Sequence, residues 1–189
     1  LFLAGCGGNI SFNVDLEEAE RWVSNAVMAV QMDVPCDPAI CLASRKEEVV
    51  LPIRDYSEFW SEFDIKLKFP QALEIYRSEL DLLRQEGANA VVTCIQAFRM
   101  GNFALVGMPG EPFAEFGLEI KEKSPFLKTY VSGYANDYPG YVIPRRAFEH
   151  GGYESWTARS TKIGPGGGEY LVERALSLLE ELSREAPLS

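Results

Sequence analysis

Two apolar runs, residues 90–99 and 103–106, are split by Met100-Gly101-Asn102. A short break carrying glycine between two such runs signals a β-hairpin. This feature constrains the fold most, because a hairpin joins antiparallel strands and a sheet that contains one is not purely parallel. Helical periods surround it. Leu16, Ala19, Val23, Ala26, Val27 and Val30 recur at helical spacing, and Asp15, Glu17 and Glu18 sit near the positive N-terminal end. Leu73, Tyr76, Leu80 and Leu83 share one face of a helix predicted over 70–85, with Pro70 in its first turn and Gly87 just past its end. Residues 112–123 and 169–182 read as two further helices, the second with Leu171, Ala175, Leu178 and Leu182 facing inward. Residues 1–4, 48–53 and 129–132 read as strands, and Pro35 and Pro38 mark a loop. The Gly-, Pro- and Tyr-rich stretch 134–168 reads as a long loop region with one short helix. The expected fold class is α/β, a mixed β-sheet covered by α-helices. No repeat or low-complexity linker divides the chain, so residues 1–189 are expected to form a single domain.

Composition narrows the function classes. Apolar residues make up 47% and charged residues 24%, a globular balance that excludes a disordered chain. The formal net charge is -10, with Lys and Arg scattered singly, so nucleic acid is excluded as an expected partner. No apolar run is long enough for a transmembrane segment. The four cysteines, Cys6, Cys36, Cys41 and Cys94, lack zinc-knuckle spacing and read as buried or idle thiols.

Several segments could carry chemistry. Gly5-Cys6-Gly7-Gly8-Asn9-Ile10-Ser11 follows an apolar run and precedes a helix. Its glycines allow close backbone approach, and amides before a helix can bind an oxyanion; a tight strand-to-helix connection is the plainer reading. Glu111, in Gly107-Met108-Pro109-Gly110-Glu111-Pro112, falls at a helix start, where the dipole favours an ionised, metal-binding carboxylate or simply an acidic first turn. Tyr134, Tyr138 and Tyr141 crowd one loop, and Tyr153 follows Gly151-Gly152. Such phenols can donate to an oxyanion, ligate a metal, or cover a core edge. His150 is the single histidine, so two or three imidazoles cannot come from this chain to a zinc ion. A hydrolase built on Ser11 and His150 requires the two in hydrogen-bond reach. Gly164-Pro165-Gly166-Gly167-Gly168 lacks the Lys-Ser or Lys-Thr of a phosphate loop and reads as the start of the last helix.

Taken in order, these segments resemble the C-terminal part of the catalytic domain of the neutral, non-lysosomal ceramidase family. Gly8-Asn9-Ile10-Ser11 with Asn13 is similar to the family's serine turn, with Phe12 where the family has proline. Leu51-Pro52-Ile53-Arg54 resembles a family strand, and Ile95-Gln96-Ala97-Phe98-Arg99-Met100-Gly101, running on to Pro109-Gly110-Glu111-Pro112-Phe113, resembles the family hairpin and its glutamate ligand. Gly133-Tyr134-Ala135-Asn136-Asp137-Tyr138-Pro139-Gly140-Tyr141 resembles the tyrosine loop, and the stretch from Arg145 to Tyr153-Glu154 resembles the segment that ends in a Tyr-Glu pair. The resemblance implies a zinc-dependent amidase that hydrolyses the amide bond of ceramide or another N-acyl lipid. It implies Ser11 and Tyr153 as catalytic residues and Glu111 and Tyr141, rather than Tyr138, as zinc ligands. Two histidine ligands would come from the N-terminal half of the domain, which would then be a partner of this part. On that reading this chain alone holds an incomplete site and is nearly inactive. The resemblance also points to a secreted or periplasmic protein. The competing expectation is a non-catalytic relative that binds a lipid or a partner chain.

Overall fold

The structure is a computed structural model that describes residues 3–11, 13–29 and 40–185. The expected strand at 1–4 lies partly outside the described residues, and Leu3 and Ala4 themselves carry no strand; Ala4 instead offers its carbonyl to the Gly133 N–H at 2.9 Å. Cys36 and the loop at Pro35 and Pro38 lie outside the described residues. In chain order the elements are α1 (Leu16–Ala29), β1 (Leu42–Pro52), α2 (Glu62–Lys68), α3 (Leu73–Glu86), β2 (Ala90–Met100), β3 (Phe103–Gly107) and β4 (Glu111–Pro112), then α4 (Ala114–Lys123), β5 (Lys128–Ser132), β6 (Tyr141–Val142), α5 (Arg145–His150) and α6 (Gly167–Ser183).

The fold is mixed α/β. Its main sheet has the order β1-β2-β3-β5, with β1/β2 and β2/β3 antiparallel and β3/β5 parallel. The β2–β3 hairpin turns at Gly101-Asn102, where Gly101 takes a φ of 61° that most side chains resist. Between β3 and β5 the chain crosses over through α4, the connection that a parallel pair requires. Alternation along the strands is plain. Val49 and Leu51 of β1, Val91, Thr93, Ile95 and Ala97 of β2, and Ala104 and Val106 of β3 are buried, whereas Val50 and Val92 point outward. The buried face packs under α6, which also meets α4. Leu171, Ala175, Leu179 and Leu182 of α6 are fully buried in that layer.

Three departures from the sequence reading bear on the site. The helix predicted from 112 starts at Ala114, because Glu111 and Pro112 form β4. The segment at 134–168 is more structured than a loop: β6 pairs with β4 in parallel, α5 follows, and a short helical turn covers Tyr153–Ser155. The predicted helix over 70–85 splits into a turn at Pro70–Ala72 and α3, which ends at Gly87 with φ 59°. None of the residues of α1 is buried, although its apolar period is present.

Candidate functional site

The β4–β6 ribbon brings the scattered motifs together. Glu111 pairs with Tyr141 and Pro112 with Val142 across two parallel strands. Gly140 accepts the Glu111 N–H at 2.9 Å, and Gly110 accepts the Tyr134 N–H at 2.8 Å. This ribbon exists because Gly110, at φ 62°, and Gly140, at φ 92°, let the backbones meet; a Cβ on Gly110 would collide with the Gly140 carbonyl. The glycine turn joins from a hundred residues away in sequence. Gly8 donates its N–H to the Pro112 carbonyl at 2.9 Å, and a Cβ there would strike the Glu111 carbonyl. Asn9 then uses both ends of its amide: Oδ1 accepts the Ala114 N–H at 2.8 Å, capping α4 from outside the helix, and Nδ2 donates to Glu115 at 3.0 Å. Ser11 follows on this turn and is exposed.

Around Glu111 the polar groups are phenols. Tyr138 donates its hydroxyl to Glu111 Oε1 in a short hydrogen bond, and Tyr134 stacks on Tyr138 with ring centroids 5.9 Å apart and planes 5° from parallel. Tyr134 and Asn136 both sit at positive φ, 54° and 69°, an uncommon conformation for a side chain as bulky as tyrosine. Tyr141 meets Tyr153 edge-on at 5.9 Å, and Tyr153 meets Trp156 edge-on at 5.8 Å. Trp156 is anchored by its indole N–H to Asp64 Oδ2 at 2.7 Å and by the edges of Tyr76 and Phe69. The Glu111 carboxylate and burial together raise the phenols. The hydrogen bond to Glu111 pushes Tyr138 up to about 12, assisted by burial and by the Glu111 charge. Burial, then the charge of Glu111 and a hydrogen bond with Tyr153, push Tyr141 higher still. The hydrogen bond to Glu111 and burial also raise Tyr134. At neutral pH these phenols keep their protons, so the cluster offers one carboxylate and several O–H donors.

Glu111, Tyr141 and Tyr153, singled out from the sequence, thus lie in one cluster, with the turn that carries Ser11 bonded to the same strand. His150 lies elsewhere in the network, with Nδ1 2.6 Å from the Arg146 carbonyl; no hydrogen bond joins it to Ser11 among the described residues. The family resemblance points to Tyr141 rather than Tyr138 as the ligand, and the short hydrogen bond to Glu111 comes from Tyr138. Asn9 and Trp156 were not singled out either. Asn9 could have been found as a helix-capping residue type inside the glycine motif, whereas nothing local marks the Trp156–Asp64 anchor.

Zinc sites use at least three protein ligands in catalytic centres and four in structural ones. One carboxylate and one phenol fall short of that, and among the described residues no group of three His, Cys, Asp or Glu side chains lies together. The described residues do not by themselves fit a zinc ion.

No protein-family model matches the chain, and no curated protein matches it. Solved structures do. The crystal structure of neutral ceramidase from Pseudomonas aeruginosa is similar to 96% of this chain at 18% identity, with a TM-score of 0.53, and the match covers 35% of that protein. A structure described as ceramidase complexed with C2 matches 52% of this chain at 27% identity, with a TM-score of 0.45, over 16% of its own length. This chain shares its fold with part of a neutral ceramidase. It spans about a third of the length of that enzyme. No helix among the described residues is long and apolar enough to cross a membrane.

Proposed function

We propose that this chain is the part of a ceramidase-like amidase domain that supplies the carboxylate and phenol side of its active site. One observation carries the reading: motifs spread from Gly8 to Tyr153 converge on the two-residue pairing of Glu111 with Tyr141. The ordered family motifs and the fold likeness over 96% of the chain support it. In this reading Glu111 and Tyr141 are zinc ligands that two histidines from outside the chain would complete. A zinc ion completed in that way would supply Lewis-acid activation of the amide carbonyl and of water. Tyr153, exposed beside Tyr141, donates its O–H to the carbonyl oxygen as charge develops there. Ser11, on the turn bonded to Pro112, faces solvent and is free to meet an acyl group. The substrate class is the amide of an N-acyl lipid such as ceramide, and residues 1–189 act as one domain.

Zinc titration against a chromophoric chelator tests the assignment. The unmodified chain is expected to bind zinc weakly, and Glu111→Ala and Tyr141→Phe are each expected to weaken it by about tenfold or more, in line with the loss of one of few donors. Tyr130→Phe, on the exposed face of β5, serves as the control. Zinc binding that is the same in all four chains would sink the reading.

A second reading, a non-catalytic module for a lipid or partner chain, is favoured by one observation: α1 leaves Leu16, Trp22, Val23 and Val27 exposed on an amphipathic helix.

A further inference from the structure

Arg54 lies two residues past the end of β1, and its backbone N–H donates to the Lys162 carbonyl at 2.9 Å. Its side chain is turned inward and is only 9% exposed. The guanidinium lies over the Phe148 ring, 5.2 Å from the centroid. Nη1 is buried with no hydrogen-bond partner among the described residues. The nearest carboxylate in sequence, Asp55, is engaged by the Ser57 N–H at 2.8 Å. A buried guanidinium nitrogen without an acceptor is costly, and burial brings the Arg54 pKa down to about 10. An arginine held in that condition gains more from an incoming anion than a solvated one does.

Arg54 also lines a cavity of about 280 Å³, with Asp55, Trp60, Phe148 and Pro165 as its other walls. This volume lies just below the usual range for small-molecule sites and suits a small ligand. The lining combines one cation and one acidic residue with three apolar surfaces, two of them aromatic. A single guanidinium matches a monoanion. A phosphate dianion is disfavoured because no second positive side chain lines the cavity and Asp55 forms part of its wall.

We propose that this cavity binds a monocarboxylate with a short apolar tail, its carboxylate paired with Arg54 and its tail held among Trp60, Phe148 and Pro165. The carboxylate could belong to a free acid or to an acidic side chain of a polypeptide; the chemistry is the same. The assignment is independent of the amidase reading, since it uses none of the Glu111 cluster.

Isothermal titration of the unmodified chain with hexanoate, hexanamide and inorganic phosphate tests it. Hexanoate is expected to saturate a single site, with hexanamide, alike in shape but uncharged, weaker by about tenfold or more. Arg54→Met is expected to abolish hexanoate binding. Trp60→Ala, at a residue 63% exposed and so safe for folding, is expected to weaken it several-fold. A doubly capped Gly-Glu-Gly peptide separates the sources: tighter peptide binding assigns a polypeptide carboxylate, tighter hexanoate binding a free acid, and either keeps the carboxylate site. Equal binding of hexanamide, tighter binding of phosphate, hexanoate binding that survives Arg54→Met, or no saturable binding of hexanoate or the peptide overturns the proposal. If Arg54→Met does not fold, the comparison of hexanoate with hexanamide on the unmodified chain still decides it.

Discussion

Helices α1 and α6 carry the same kind of sequence pattern and meet opposite fates. Both are amphipathic over their length. α6 buries eight residues, from Gly167 and Gly168 through Leu171, Val172 and Ala175 to Leu178, Leu179 and Leu182, against the sheet and α4. α1 buries none; Leu16 is 82% exposed and Met28 65%. An amphipathic period therefore fixes the shape of a helix and the face that wants cover, but not what covers it. For α6 the cover is the alternating inner face of β1 and β2, where Val49, Leu51, Ile95 and Ala97 present a continuous apolar floor. For α1 no such floor exists among the described residues.

The largest expected effect sharpens this contrast. Leu179 is fully buried in the C-terminal half of α6, so Leu179→Ala leaves a cavity and is expected to lower stability by about 2–5 kcal/mol. Urea denaturation followed by circular dichroism reads the shift in midpoint. A loss under about 1 kcal/mol would mean that α6 does not pack as tightly in solution as its burial implies.

The same contrast explains which parts of the fold were legible in the sequence. The inward face of α6, the β2–β3 hairpin and the stop of α3 at Gly87 follow from periodicity and turn chemistry, both of which are local. The site was legible as residue types: Glu111, Tyr141 and Tyr153 stood out, and the structure brings them into one cluster. Its wiring was not legible. β6 is two residues long, too short for any pattern, and is held between β4 and the backbone at Ser160 and Thr161. The hydrogen bond from Tyr138 to Glu111 joins residues far apart in sequence, so local spacing gave no reason to prefer Tyr138. Asn9 caps a helix that begins more than a hundred residues later, and a capping rule read along the chain looks only a few residues ahead. In the sequence Arg54 reads only as part of a strand motif, because burial of an arginine nitrogen without an acceptor is a property of the folded chain.

A smaller effect probes how closely α6 is fitted. Gly168 lies in its first turn, and a Cβ there would press into the Phe116 ring of α4 and approach Val142 of β6 at 3.2 Å. Alanine is the better helix former by about 1 kcal/mol, so propensity alone predicts that Gly168→Ala stabilises. Overpacking predicts the reverse, a loss of about 1–3 kcal/mol, and it wins because an aromatic ring wedged between two elements has little room to move. Because Val142 follows Tyr141 in β6, the substitution is also expected to disturb the Glu111–Tyr141 pairing, visible as chemical-shift changes at those two amides. A stabilised variant with unmoved amides would show that the α4–α6 seam yields.

The smallest expected effect is at α1, and it tests the contrast most directly. Val27 is 65% exposed, so replacing it removes little apolar burial, and valine and serine have similar helix propensities. Val27→Ser is expected to shift stability by no more than about 0.5 kcal/mol in either direction, against the several kcal/mol expected at Leu179. The measurement is the same urea transition, repeated at two protein concentrations. A concentration-independent shift within that bound leaves α1 an open face. A larger loss that grows with concentration would mean that copies of the chain cover this face in solution, since stability borrowed from association depends on protomer concentration. In that case α1 and α6 would differ only in which chain supplies the floor, and the contrast between them would no longer hold.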